Sequence, residues 1–183
     1  MKQKIAFTLK PADSEIPALM QGYHQVPANV SDEKCFEAGA LIRSGDVSKE
    51  NLRVIYRWKM QSRSYLGQER KFFDKNSDEA VANVLRATID AIDKRGDTER
   101  AFRELQSLKG VKLAVASAIL TAVFPDHFTV IDIMAFRALG VTPLSVPLYL
   151  HYLAFCRQQA ERLGISLRDM DRALWQWGHD NPP

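Results

Sequence analysis

Residues 105–139 read LQSLKGVKLAVASAILTAVFPDHFTVIDIMAFRAL, and the rest of the chain is expected to pack around this stretch. Its apolar spacing predicts the end of one helix, a tight turn at residues 109–111 and a second helix over residues 112–124. Gly110 lies between two periodic segments, where the backbone usually needs a positive φ. Pro125 ends the second helix, and an extended piece over residues 128–131 leads to Asp132 at the start of a third helix.

The remaining segments show helical periodicity bounded by capping residues. A serine or an aspartate stands before each of six periodic segments, as helix N-caps do; these residues are Ser31, Ser48, Ser77, Asp97, Ser145 and Ser166. The pattern predicts an all-α fold of about eight to ten helices. We expect a single helical domain over residues 1–183, or one with two lobes. The first lobe would contain residues 1–75 with the C-terminal helices, and the second would contain residues 77–140 with the helix–turn–helix.

Composition narrows the class of protein. The 183 residues are 46% hydrophobic and carry a net charge of +3, which suits a globular protein and permits a nucleic-acid partner without requiring one. Cys35 and Cys156 have neither disulfide nor metal spacing, so we expect reduced thiols in a cytoplasmic protein. The apolar run near the N-terminus is too short for a signal peptide, and no stretch has the length of a membrane span. We expect no metal, no membrane partner and, by default, a monomer.

The turn around Gly110 predicts an anion site. A tight turn that leads into a helix directs backbone N–H groups outward at the positive end of the helix dipole. A nucleic-acid phosphate is the commonest large anion to bind there. The residues expected to contact the phosphate are Gly110, Val111 and Lys112, with Lys109 beside them.

The same residues resemble a known family. LKGVKLAVASAIL, residues 108–120, resembles the hairpin of the HhH-GPD superfamily of helix-hairpin-helix, 8-oxoguanine glycosylase-like DNA glycosylases, which typically reads L-P-G-V-G-x-x-T/V-A. FPDHFTVIDIMAFRAL, residues 124–139, is similar to the segment that ends in the family's catalytic aspartate, which Asp132 matches. The resemblance implies an HhH-GPD-like multi-helix fold with a central hairpin, duplex DNA as the partner and base excision as the activity.

Departures from the family pattern narrow the implied activity. Lys109 stands where the family often has Pro, and Lys112 stands where it usually has the second Gly. Members with lyase activity carry a nucleophilic Lys at the position of Ala114, and Lys112 lies roughly 200° around the helix from that position. The resemblance therefore implies a monofunctional glycosylase. It also implies no iron–sulfur cluster, because members with the cluster use four C-terminal cysteines and this chain has two cysteines in all.

The most basic stretch of the chain precedes the hairpin. Residues 43–75 hold nine Lys or Arg against four Asp or Glu, with aromatic residues interleaved. Such a segment is either a solvated face over a packed aromatic stripe or a surface for phosphates and bases. The cations expected to assist the hairpin are Arg53, Arg57 and Arg63. The aromatic residues expected in a base pocket, each of which could instead pack in the core, are Trp58, Tyr65 and Phe72.

Two classes of function stay open. The first is a monofunctional DNA N-glycosylase, a hydrolase of base excision repair that removes a damaged or modified base. Asp132 would then stabilise the cationic sugar and orient a water, while also serving as a helix N-cap. The alternative is a non-catalytic, degenerate helix-hairpin-helix DNA-binding protein, favoured by Lys112 and by the short chain. A protein-interaction module is a third, weaker option. Either DNA-binding class would be associated with the nucleoid if the source is bacterial.

Overall fold

The computed structural model describes residues 7–26, 32–60, 66–140 and 145–182. These residues contain ten α-helices and no β-strand, so the predicted all-α class is confirmed for the described part of the chain. The helices are α1 (Ile16–Tyr23), α2 (Asp32–Arg43), α3 (Lys49–Lys59), α4 (Leu66–Lys71), α5 (Asp78–Arg95), α6 (Thr98–Gln106), α7 (Leu113–Val123), α8 (Ile133–Leu139), α9 (Val146–Leu163) and α10 (Leu167–Asp180). Two short 3₁₀ helices, Asp13–Glu15 and Phe73–Lys75, precede α1 and α5. In the described ranges, none of the helices combines the length and the apolar character that a membrane span needs.

Helix boundaries follow the local sequence. In six helices the N-cap side chain accepts a hydrogen bond from a first-turn backbone N–H; these caps are Ser48, Ser77, Asp97, Asp132, Ser145 and Ser166. Three helices end at a glycine in the left-handed conformation, namely Gly96, Gly140 and Gly164. The predicted caps are thereby confirmed, apart from Ser31, which lies outside the described residues.

The chain forms two compact units. The hairpin unit is Ser31–Phe124 and contains α2 to α7; the Asp132 unit is Met1–Val30 with Pro125–Pro183 and contains α1 and α8 to α10. This division differs from the predicted lobes, because α2 and α3 belong with the hairpin rather than with the C-terminal helices. The physical reason is that α2 and α3 pack on each other and on α7, which the linear pattern of apolar residues does not specify.

A close helix crossing organises the hairpin unit. Gly39 of α2 lies against α7, and a Cβ added at Gly39 would lie 2.0 Å from the carbonyl oxygen of Ala122. Every residue of α7 is buried except Ala114, which is half-buried. The helix that follows the predicted turn is therefore the central helix of its unit, and the turn itself is anchored to a packed core.

A second close crossing organises the Asp132 unit. Gly178 of α10 lies against the start of α8, and a Cβ added at Gly178 would lie 2.0 Å from the carbonyl oxygen of Met134. At the other end of α8, the backbone N–H of Lys10 donates to the carbonyl of Ala138 over 3.0 Å. The short helix that begins after Asp132 is thus held at both ends by other parts of its own unit.

Candidate functional site

The predicted turn is present between α6, which ends at Gln106, and α7, which begins at Leu113. Gly110 has a φ of +85°, in the left-handed region that favours glycine. A Cβ added there would lie 3.1 Å from the Cβ of Phe72 and 3.2 Å from the backbone nitrogen of Phe73. Glycine is therefore required twice, for the backbone conformation and for the close approach of the 3₁₀ segment. The prediction of a positive φ at Gly110 is confirmed.

A buried amide holds the turn in place. The Asn76 side chain accepts a hydrogen bond from the Lys109 N–H over 2.9 Å and donates one to the Lys109 carbonyl over 3.0 Å. Asn76 is buried whereas Lys109 is exposed, so this pair of hydrogen bonds is partly buried. Asn76 was not predicted, because its partner lies 33 residues away and a single Asn before a helix carries no signal for that contact.

The two lysines of the turn are exposed, and no ion pair involves either of them within the described residues. Lys112 is the N-cap of α7, has an extended backbone and provides no side-chain cap to the first turn. The first-turn N–H groups of α7 therefore lack the side-chain acceptor found in six other helices. Val111 is buried and its backbone N–H donates to the Leu108 carbonyl over 3.1 Å, so an anion would have to compete with that carbonyl for it. We call the surface formed by Lys109, Gly110 and Lys112, with the buried Val111 beneath them, the hairpin face.

Arg53 and Arg57 are already engaged by carboxylates of the same unit. Arg53 lies 2.9 Å from Glu69 and 2.5 Å from Asp74, and Arg57 lies 2.8 Å from Glu69. Hydrogen bonds from Arg57 and Arg53 hold the pKa of the buried Glu69 carboxyl below its ordinary value, despite the opposing effect of burial. A phosphate would have to compete with these carboxylates for either arginine. The DNA contacts of Arg53 and Arg57 stay a prediction, and Arg63 lies outside the described residues.

The aromatic candidates are in different surroundings. The Trp58 indole N–H donates to Asp32 over 2.9 Å, and the ring lies edge-on to Phe36 at a centroid separation of 6.4 Å. Phe72 is 38% exposed and has the Lys71 ammonium 5.3 Å from its ring centroid. Trp58 therefore has a structural role at the α2–α3 contact, whereas Phe72 presents an aromatic surface beside Gly110. Their part in a base pocket stays a prediction, and Tyr65 lies outside the described residues.

Asp132 lies at the start of α8, as predicted. Its side chain accepts a hydrogen bond from the backbone N–H of Met134 over 2.9 Å, and the residue is half-buried. The neighbouring Ile133 is 57% exposed. This hydrogen bond places the Asp132 carboxylate at the positive end of the α8 dipole. The catalytic role of Asp132 stays a prediction.

Ala114 lies in the first turn of α7. Among the described residues, no group of three or more His, Cys, Asp or Glu side chains is arranged to hold a metal ion. The expected absence of a cofactor stays a prediction.

Comparison with protein-family models, with curated proteins and with solved structures finds no match for this chain.

Proposed function

We propose that this chain binds duplex DNA through the hairpin face and removes a damaged or modified base as a monofunctional N-glycosylase. The observation that carries the proposal is the hairpin itself. Its glycine turn leads into a helix whose N-terminus has no side-chain cap, and two exposed lysines, Lys109 in the turn and Lys112 at the N-cap, precede the first residue of that helix. Backbone N–H groups, a helix dipole and two cations at one place make a site for a phosphodiester. The family resemblance of residues 108–139 is what connects this site to base excision.

The proposed contact with the DNA backbone does not distinguish one base sequence from another. Phosphate contacts fix the position of a protein on the duplex, whereas base edges or deformed DNA provide specificity. The Asn76 hydrogen bonds keep the Lys109 peptide in place, so the hairpin would bind without reorganisation. The exposed Phe72 ring beside Gly110 provides an apolar surface, and the Lys71 ammonium over that ring provides a positive charge. Together they could contact a nearby sugar or base.

The proposed chemistry assigns one role to Asp132. As the bond between the base and the sugar C1′ breaks, the base leaves with the bonding electron pair and the sugar becomes cationic. An ionised carboxylate near C1′ would stabilise that cation, and it would orient the water whose oxygen forms the new bond to C1′. The hydrogen bond from the Met134 N–H holds one Asp132 oxygen at the start of α8.

The second candidate is a DNA-binding protein without catalysis. It is favoured by Lys112, which stands where the family usually has a glycine, and by the carboxylates that occupy Arg53 and Arg57. A panel of duplexes with different lesions, followed by alkali, separates the two candidates because only an enzyme creates abasic sites. Binding to duplex DNA that weakens with salt separates both from a protein-interaction module.

Replacing Lys112 by Glu is expected to weaken duplex binding and to make the dependence of log Kd on log salt shallower by about one unit, as loss of one phosphate contact does. The measurement is fluorescence anisotropy over a salt series. Lys34→Glu is the matched control, because it makes the same charge change at an exposed lysine of α2. If the two variants behaved alike, or if Lys112→Glu left slope and affinity unchanged, the hairpin face would not be the binding site.

Excision is expected to leave the DNA strand intact until alkali is added. A lyase needs an amine to form a Schiff base with the sugar, and the residue at the corresponding position is Ala114. Incubation with a lesion-containing duplex and sodium borohydride should therefore give no covalent protein–DNA adduct on a denaturing gel. A trapped adduct would show that another amine of the chain reaches C1′, and the enzyme would then be bifunctional.

A further inference from the structure

The extended segment before Asp132 is buried without belonging to a sheet. Phe128, Val130 and Ile131 are buried core residues, and Thr129 is buried as well. The described residues contain no β-strand, so the backbone of this segment has no ladder to satisfy its carbonyl groups. A buried carbonyl without a partner is costly, so other donors are needed.

Two tyrosines of α9 supply those donors. The Tyr149 hydroxyl donates to the Thr129 carbonyl over 3.0 Å, and the Tyr152 hydroxyl donates to the Val130 carbonyl over 3.2 Å. Both tyrosines are fully buried. Burial raises the pKa of both phenols far above the ordinary value, so each hydroxyl keeps its proton and stays a donor across the neutral range.

Tyr152 also contacts the helix on the other side of Asp132. Its ring lies edge-on to Phe136 of α8, with the centroids 5.5 Å apart. One side chain therefore joins the residue two positions before Asp132 to the residue four positions after it. Close contact between Gly178 and the backbone of Met134 limits movement of the first turn of α8 from another direction.

We propose that Tyr152, assisted by Tyr149, is a positioning residue that sets the place and direction of the Asp132 carboxylate. This inference rests on the proposed function for its catalytic consequence. The Asp132 side chain is hydrogen-bonded to the first turn of α8, so its position depends on the angle at which the preceding segment joins that helix. The two hydroxyls fix that entry without touching a substrate. Because a catalytic group that is displaced slightly loses much of its effect, a buried hydrogen bond two residues away influences the rate.

The test compares three Tyr→Phe variants by two measurements. Tyr152→Phe should slow single-turnover excision about tenfold, which corresponds to about 1.4 kcal/mol of activation free energy, with an unchanged Kd for the duplex. Tyr149→Phe should have a smaller effect, since its hydrogen bond is one residue further from Asp132. Tyr23→Phe is the matched control: it removes a buried hydroxyl of the same unit, which accepts a hydrogen bond from Arg168 rather than donating to the segment before Asp132.

Amide hydrogen exchange provides a measurement that does not need DNA. The Met134 N–H is protected by Asp132, so loosening the carboxylate should speed its exchange about tenfold in Tyr152→Phe and leave it unchanged in Tyr23→Phe. Unchanged excision together with unchanged Met134 exchange in both Tyr152→Phe and Tyr149→Phe would overturn the inference. If the wild type excised no base, the proposed function would fail, and the Met134 exchange would still decide whether the tyrosines position the carboxylate.

Discussion

Asp132→Asn is expected to excise bases about a hundred- to a thousand-fold more slowly than the wild type, equivalent to about 3 to 4 kcal/mol of activation free energy. The amide keeps the size of the side chain and can still accept the hydrogen bond from the Met134 N–H. It lacks the charge that would stabilise a cationic sugar. Duplex affinity should be unchanged or slightly higher, and the free energy of unfolding should fall by no more than about 1 kcal/mol, because Asn is as good an N-cap as Asp.

The chain offers a matched control for this variant. Asp97 caps α6 by accepting from the Arg100 N–H over 2.9 Å, the same distance at which Asp132 accepts from Met134. Asp97→Asn makes the same chemical change at an equivalent cap and should leave excision unaffected. Single-turnover excision, developed with alkali, is the measurement for both. If the wild type and Asp132→Asn were equally inert on every lesion and both bound duplex DNA, the non-catalytic DNA-binding protein would be the better description.

Gly39→Ala is expected to lower the free energy of unfolding by about 3 kcal/mol or more, at the upper end of the range for overpacked cores. The added methyl group would lie 2.0 Å from the Ala122 carbonyl oxygen and 2.3 Å from its carbon, both backbone atoms that no side-chain rotation can move. Relief therefore requires α2 and α7 to separate. Helix propensity alone would favour Ala over Gly by about 1 kcal/mol, so the clash decides the sign of the effect. Urea unfolding monitored by circular dichroism measures it.

Gly67→Ala is the control for Gly39→Ala. Gly67 also lies in a helix of the hairpin unit, and a Cβ added there meets no atom within 4 Å. Its stability should be unchanged or higher by up to about 1 kcal/mol. Equal stability of the two variants would mean that α2 and α7 do not cross as closely as the structure has them, and the support of the hairpin by this crossing would have to be reconsidered.

The distribution of charge around the hairpin was decided by tertiary structure. Residues 43–75 are strongly basic, and the sequence predicted that Arg53 and Arg57 would assist the hairpin. In the fold, Glu69 accepts hydrogen bonds from both guanidinium groups, 16 positions along the chain from Arg53 and 12 from Arg57. A local net charge does not indicate which cations are neutralised by distant carboxylates. The lysines of the turn, in contrast, are exposed.

The sequence by itself determined most of the helices and most of their caps, the positive φ at Gly110 and the position of Asp132 before α8, but it did not predict the short helix α4. These features depend on interactions within about one helical turn, so residue type and spacing carry them directly. Only the tertiary structure decided that Asn76 holds the turn and that Tyr149 and Tyr152 hold the segment before Asp132. Those hydrogen bonds join residues 33, 20 and 22 positions apart. They form because buried backbone groups require partners, and which side chain supplies the partner follows from how the helices pack.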